Sequence, residues 1–159
     1  MKYAVKIRYA KNSDLEFMLN GFKEIERIET GDVRIEKFLK RSDRPQKIRK
    51  AIRRKNILVA TLGKKPVGII WFTISNKVPY GVNYGIYTKK YMWIDFSFVS
   101  RKFRKRGIGT VLYEEAFKIA ARKKIRTVFV DVFSANRNSV QFHEKISFKP
   151  KIYLLLREI

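Results

Sequence analysis

The chain has 159 residues, no cysteine, and 37 Lys plus Arg against 14 Asp plus Glu, a formal net charge of +23. That length suits one compact domain with a core that needs no disulfide or metal, read here as a single domain over 1–159, and a hydrophobic share of 45% excludes a disordered polyelectrolyte. The missing cysteine excludes thiolate metal sites and a cysteine nucleophile, while the charge favours anionic partners and argues against polycationic ones such as aminoglycosides, polyamines and basic tails.

In chain order, residues 3–9 alternate as a first strand. Ser13-Asp14-Leu15-Glu16 has the form of a capping box, and Leu15, Met18, Leu19, Phe22, Ile25 and Ile28 then recur at helical spacing as far as Thr30-Gly31. Residues 32–56 read as a second helix, very basic around a thin apolar stripe of Ile48, Ala51 and Ile52. Residues 57–62 and 67–75 flank Gly63-Lys64-Lys65-Pro66 as a hairpin. The stretch 76–91, with Tyr80, Tyr84, Tyr87 and Tyr91, reads as a long loop whose aromatics either frame a pocket or pack the loop.

Residues 92–99 form a fourth strand and 108–123 a helix with Ile108, Val111, Leu112, Ala116, Ile119 and Ala120 facing inward. A fifth strand over 127–132, a short helix over 138–146 and a closing strand within 148–157 complete the series. The mixture implies an α/β or α+β sheet with helices packed on it. No apolar run approaches the ~20 residues of a membrane span. The expectation is therefore a soluble cytoplasmic protein without a membrane partner, either monomer or homodimer.

The chemistry concentrates between the fourth strand and its helix, in Ser100-Arg101-Lys102-Phe103-Arg104-Lys105-Arg106-Gly107-Ile108-Gly109-Thr110. Two glycines at a helix entry let backbone amides approach a ligand closely, and the helix dipole adds positive potential at the same place. Flanking Arg and Lys supply charge-assisted bonds for further phosphates. The combination is a diphosphate cradle.

Phe98-Val99 followed by Phe103 to Gly109 and an amphipathic helix resembles the acetyl-CoA motif of the GNAT N-acetyltransferases, which runs from the fourth strand through R/Q-x-x-G-x-G/A. Val128 to Val132, then Asn136-Arg137-Asn138-Ser139-Val140-Gln141-Phe142-His143-Glu144-Lys145-Ile146-Ser147-Phe148, resembles that family's fifth strand and N-x-x-A-x-x-F-Y-x-K-x-G-F helix. The sequence departs from the pattern at Lys105 and Ser147, where Gly is common, and at His143, where Tyr is usual.

The resemblance implies a central splayed sheet of about six to seven strands flanked by about four helices, with acetyl-CoA as cofactor and no metal. It implies that main-chain groups of Phe98 and Val99 pair with the pantetheine arm. Arg104, Lys105, Arg106, Gly107, Ile108, Gly109 and Thr110 would hold the pyrophosphate, and Asn136 and Ser139 would contact pantetheine from the other side. Transfer would go directly from thioester to a primary amine of a protein or small molecule in a ternary complex. Asp95 is then the candidate base, and His143, the only histidine, is the candidate acid.

Two readings of another kind stand beside this one. Residues 41–56 and 101–106 could clamp phosphates of a nucleic acid or ribosome while tyrosines stack bases. The chain could also keep the fold and the cofactor without activity.

Overall fold

The computed structural model describes residues 4–30, 43–77, 89–153, 155 and 157. Five strands and four helices alternate as β1 (Val5–Tyr9), α1 (Leu15–Thr30), α2 (Arg44–Arg53), β2 (Ile57–Leu62), β3 (Lys65–Ser75), β4 (Tyr91–Val99), α3 (Ile108–Arg122), β5 (Val128–Val130) and α4 (Arg137–Lys145). The strands lie side by side in chain order, antiparallel from β1 through β4 and parallel between β4 and β5. Parallel neighbours need a crossover, and α3 supplies it. Expected positions on 32–42 and on Tyr80, Tyr84 and Tyr87 lie outside the described residues.

Both faces of the sheet are covered. One carries α3, whose Ile108, Leu112, Ala116 and Ile119 pack with Leu58, Ile70, Met92 and Ile94. The other carries α1 and α2, whose Met18, Ile48 and Ala51 pack with Ile57, Val59, Ile69, Phe96 and Phe98. Two glycines allow close approach. A Cβ on Gly21 would meet the Phe98 ring at 2.8 Å, and one on Gly68 would meet Leu112 at 3.0 Å.

Three sequence expectations are corrected. The helix after β1 does not begin on a Ser13–Glu16 capping box. A 3-10 turn over Asn12–Asp14 precedes it. Buried Asp14 accepts from the Lys11 backbone N–H at 2.7 Å and from the Arg8 guanidinium, because a carboxylate held by two donors outcompetes a serine hydroxyl. Tyr91 belongs to β4 and is buried, not a loop residue.

The third correction concerns the closing strand. None of the described residues from 148 to 157 is in a strand, and Ile152, Tyr153 and Leu155 are exposed there, so the sheet has five strands among the described residues where six to seven were expected. β propensity depends on context, so a strand-like composition does not by itself make a strand.

The helices end alike. After α2, α3 and α4 the residues Lys55, Lys124 and Ser147 take positive φ of 55°, 57° and 71°. In each case the next residue's N–H returns to a carbonyl five residues back: Asn56 to Ala51, Ile125 to Ala120, Phe148 to His143. These are Schellman endings, built on side chains where glycine is the usual solution.

Candidate functional site

β3 bonds β4 from end to end, but β5 covers only Met92–Ile94. Among the described residues the β5 side of Asp95–Val99 has no strand on it, so its backbone groups, apart from the Val99 carbonyl that accepts from Arg104, are open to an extended ligand. Trp71 opposes Phe96 while Phe72 opposes Ile94, which makes Asp95 the extra residue of a bulge. After the bulge Phe96 and Phe98 face α1, whereas Ser97 faces α3. Pairing between β4 and the three-residue β5 therefore stops at Ile94.

From β4 the chain passes through a 3-10 turn, Arg101–Phe103, and enters α3 at Gly107. Gly107 has φ of 77°, no side chain caps the helix, and its first turn holds no acid. The first amides of α3 thus keep their donors, with the helix dipole behind them. The two glycines have different tasks. Nothing lies within 4 Å of a Cβ built on Gly107, but one on Gly109 would meet Phe142 Cζ at 3.1 Å. Gly107 leaves the cradle open, and Gly109 lets α4 close on α3.

Among the basic residues of this turn, Arg104 is braced internally. Its Nε donates to the Val99 carbonyl at 2.9 Å and its Nη2 to Glu24 on α1 at 2.6 Å. Arg101, Lys102, Lys105 and Arg106 are exposed, Thr110 is half-buried, and Ile108 is a core residue. Lys105 adopts φ of 59°, which gives a physical reason for the glycine common at that position.

On the α3 face of β4, His143 is buried inside a ring of Tyr113, Phe142 and Phe148. Its Nδ1 lies 2.7 Å from the Ser139 carbonyl oxygen, which can only accept, so that nitrogen carries the proton. Nε2 then accepts from the Tyr113 hydroxyl at 2.6 Å, and that hydroxyl lies 3.1 Å from Ser97 Oγ. Burial pushes the His143 pKa down, partly opposed by its bond to Ser139. Burial also raises the Tyr113 pKa, with the Ser97 bond opposing it. The imidazole is neutral and both its nitrogens are used within the fold. Asn136, also buried, caps α4 through Oδ1 to the Ser139 N–H at 3.2 Å.

Asp95 sits on the other face of β4 with Trp93, where the Thr73 hydroxyl bonds it. Its surface is exposed, yet protein atoms crowd its surroundings, and this desolvation pushes its pKa up to about 6. The Thr73 bond opposes the rise and the negative charge of Asp131, just past β5, adds to it. The two residues expected to do proton chemistry are therefore on opposite faces of one open strand edge.

Sequence reasoning missed four neighbours. Tyr113 and Ser97 look like one more stripe position and one more strand residue, and only the α3–β4–α4 packing joins them to His143. Glu24 meets Arg104 across a long stretch of chain. Asp131 was visible as a carboxylate at the end of a strand, but its closeness to Asp95 depends on β5 lying beside β4.

A family model for the acetyltransferase (GNAT) family matches residues 22–148, and the chain belongs to that family. No curated protein matches the sequence. Among solved structures, the aminoglycoside N-acetyltransferase AAC(6')-Iy in complex with CoA is similar at a TM-score of 0.73 and 15% identity, covering 98% of this chain and 95% of that one. The aminoglycoside 6'-N-acetyltransferase AAC(6')-Ih from Acinetobacter baumannii gives 0.71 and 17%, covering 98% of each chain. A mutant of the BH1408 protein from Bacillus halodurans gives 0.80 and 17%, covering 97% and 99%. At these identities the likeness is one of fold.

Proposed function

We propose that the protein transfers an acetyl group from acetyl-CoA to a primary amine by direct attack in a ternary complex. The observation that carries this reading is the open β4 edge lying beside an uncapped, basic α3 N-terminus. The donor set suits coenzyme A. The amides at Ile108, Gly109 and Thr110, with Lys105 and Arg106, match a diphosphate, and the β4 edge near Phe98 and Val99, apart from the Val99 carbonyl that Arg104 holds, offers backbone groups to the amides of a pantetheine arm. Asn136 and Ser139 border the opposite side, on α4. Arg104 acts by bracing the cradle against Glu24.

Bound acetyl-CoA supplies an activated thioester. Asp95, directly or through a water, takes the proton that the attacking amine must lose. With a pKa of about 6 it is ionised at neutral pH yet more basic than an ordinary carboxylate. As the C–N bond forms and the C–S bond breaks, backbone N–H groups on the β4 edge stabilise the charge on the carbonyl oxygen. A thiol titrates near ~8.5, so water suffices to protonate the departing thiolate. His143 is then a positioning residue, holding Tyr113 and α4 in place.

The acceptor is read from its chemistry. Asp95 and Asp131 make a negative spot on a positive protein, and an ammonium group approaching that spot is attracted locally whatever the net charge. Titration calorimetry with acetyl-CoA, followed by a mass-spectrometric screen of peptide, polyamine and aminoglycoside amines, tests the proposal. Saturable binding and a 42-dalton-type acetyl adduct, identified with isotope-labelled acetyl-CoA, are expected to be about equimolar with thiol release. Absence of acetyl-CoA binding would refute it.

A further inference from the structure

The positive charge of this chain is not spread evenly. No Asp or Glu occurs between Asp43 and Asp95, the segment that makes α2, β2 and β3. α2 turns Ile48 and Ala51 into the core and leaves Lys47, Arg49, Lys50 and Arg53 exposed, followed by Arg54 and Lys55. Lys47, Lys50 and Arg54 follow at three- and four-residue spacing and so line one side of the helix over ~10 Å. None of these six cations is in an ion pair among the described residues. A helix needs no such charge to fold. Packing it on α1 requires only the buried stripe and the Arg44–Glu26 pair.

A second feature continues the strip. Lys55 Nζ lies over the ring of Tyr9, 5.9 Å from its centre, and Tyr9 is 41% exposed at the end of β1. From there β1 leads to a cleft of about 430 Å³ lined by Lys6, Arg8, Lys11, Lys64, Ser13 and Thr61. Arg8 is committed to Asp14, and Lys6, Lys11 and Lys64 are in no ion pair among the described residues. β1 is the far edge of the sheet from β5, so the strip lies away from the open β4 edge.

We propose that this strip, from α2 through Lys55 and Tyr9 to the β1 cleft, is a binding surface for single-stranded nucleic acid. Rows of cations track a phosphate backbone, and an exposed aromatic ring between them offers a stacking platform for an unpaired base, which a duplex cannot present. A lipid surface would call for apolar anchors among the cations, and among the described residues Tyr9 is the one large apolar side chain exposed along the strip. The surface is separate from the acetyl-CoA site proposed above and does not depend on it.

Fluorescence anisotropy tests the proposal with labelled oligo(U) and oligo(dT) of about 12 nucleotides, titrated over a range of salt. A neutralised strip, Lys47→Gln with Lys50→Gln and Arg54→Gln, is compared with a control that loses the same charge elsewhere, Lys123→Gln with Arg126→Gln and Lys149→Gln. The strip variant is expected to bind at least about tenfold more weakly, and its log–log salt slope is expected to flatten by about 2, which is three contacts at ~0.7 each. The control keeps its slope. Tyr9→Ala is expected to weaken binding by about tenfold with the slope unchanged. Acetyl-CoA binding, measured on the same preparations, is expected to stay as in the parent and reports that each variant is folded. Equal losses in strip and control variants would overturn the proposal, since net charge alone would then explain the attraction. So would a duplex of the same length competing as well as the single strand, or binding to phosphatidylserine vesicles in place of the oligonucleotides.

Discussion

Replacing Asp95 by Asn should make the protein more stable and much less active, and the first effect should depend on pH in a defined way. The carboxyl's pKa is raised from 3.8 to about 6 by desolvation, with Asp131 contributing, so the folded state holds this proton more tightly than the unfolded chain does. Stability from that proton is fully present below about pH 4 and is lost as the pH rises through about 6. Two pKa units correspond to about 3 kcal/mol at full strength, and because the Asp95 surface is exposed, screening reduces the effect to about 1 kcal/mol. Asn imitates the protonated form and can still accept from Thr73. Thermal melts at pH 4 and pH 8 should therefore show equal midpoints at the lower pH. At the higher pH the variant should melt about 2–4 °C above the parent. Turnover should fall by about 10²–10⁴-fold, and the parent's rate should rise with pH through about 6. An offset independent of pH, or a variant less stable at pH 8, would refute the account of the carboxyl's surroundings. Unchanged turnover would remove Asp95 from the reaction.

Other predictions follow from the cradle and the helix ends. Gly107→Asp and Gly107→Asn both tolerate a left-handed backbone better than most side chains, so they share its strain. Only Asp adds a charge, and calorimetry should show acetyl-CoA bound at least about tenfold more weakly by Asp than by Asn. Ser147→Gly should relieve left-handed strain at the end of α4 and raise stability by about 0.5–1 kcal/mol in chemical denaturation, after the chain-entropy cost of glycine. Tyr113→Phe should cost about 1–3 kcal/mol by leaving buried Nε2 of His143 without its donor. Because burial holds the His143 pKa down, the parent's stability should also fall as pH drops through about 6.5 and below, where the unfolded chain takes up the proton first.

Much of the fold was legible because its signals are local. The hairpin of β2 and β3, the apolar stripe of α3 apart from Val111, which is exposed, and the short helix α4 rest on periodicity and turn residues that need no distant partner. The start of α1 was misread because Asp14 is claimed by Arg8, a contact made only once β1 lies against the helix. Residues 148–157 have strand-like composition, but whether they pair depends on an edge, not on the residues themselves. Gly109 has a packing task that the sequence does not display. Its lack of a side chain is visible in sequence, while the Phe142 ring that requires it comes from α4.

The net charge argues against cationic acceptors, but a sum over the whole chain is a weak guide to the proposed site. Charges more than a Debye length away are screened, so an amine near β4 responds mainly to Asp95 and Asp131. What the sequence determined by itself was the family pattern, the glycine-led basic entry to α3 and the basic character of α2, because these depend on residue type and short spacing. What only the tertiary structure decided was the end of β4–β5 pairing at Ile94, the division of Asp95 and His143 between two faces, and the closure of His143 on Tyr113. Each of these depends on which elements come to lie side by side, and burial, hydrogen bonding and pKa follow from that contact.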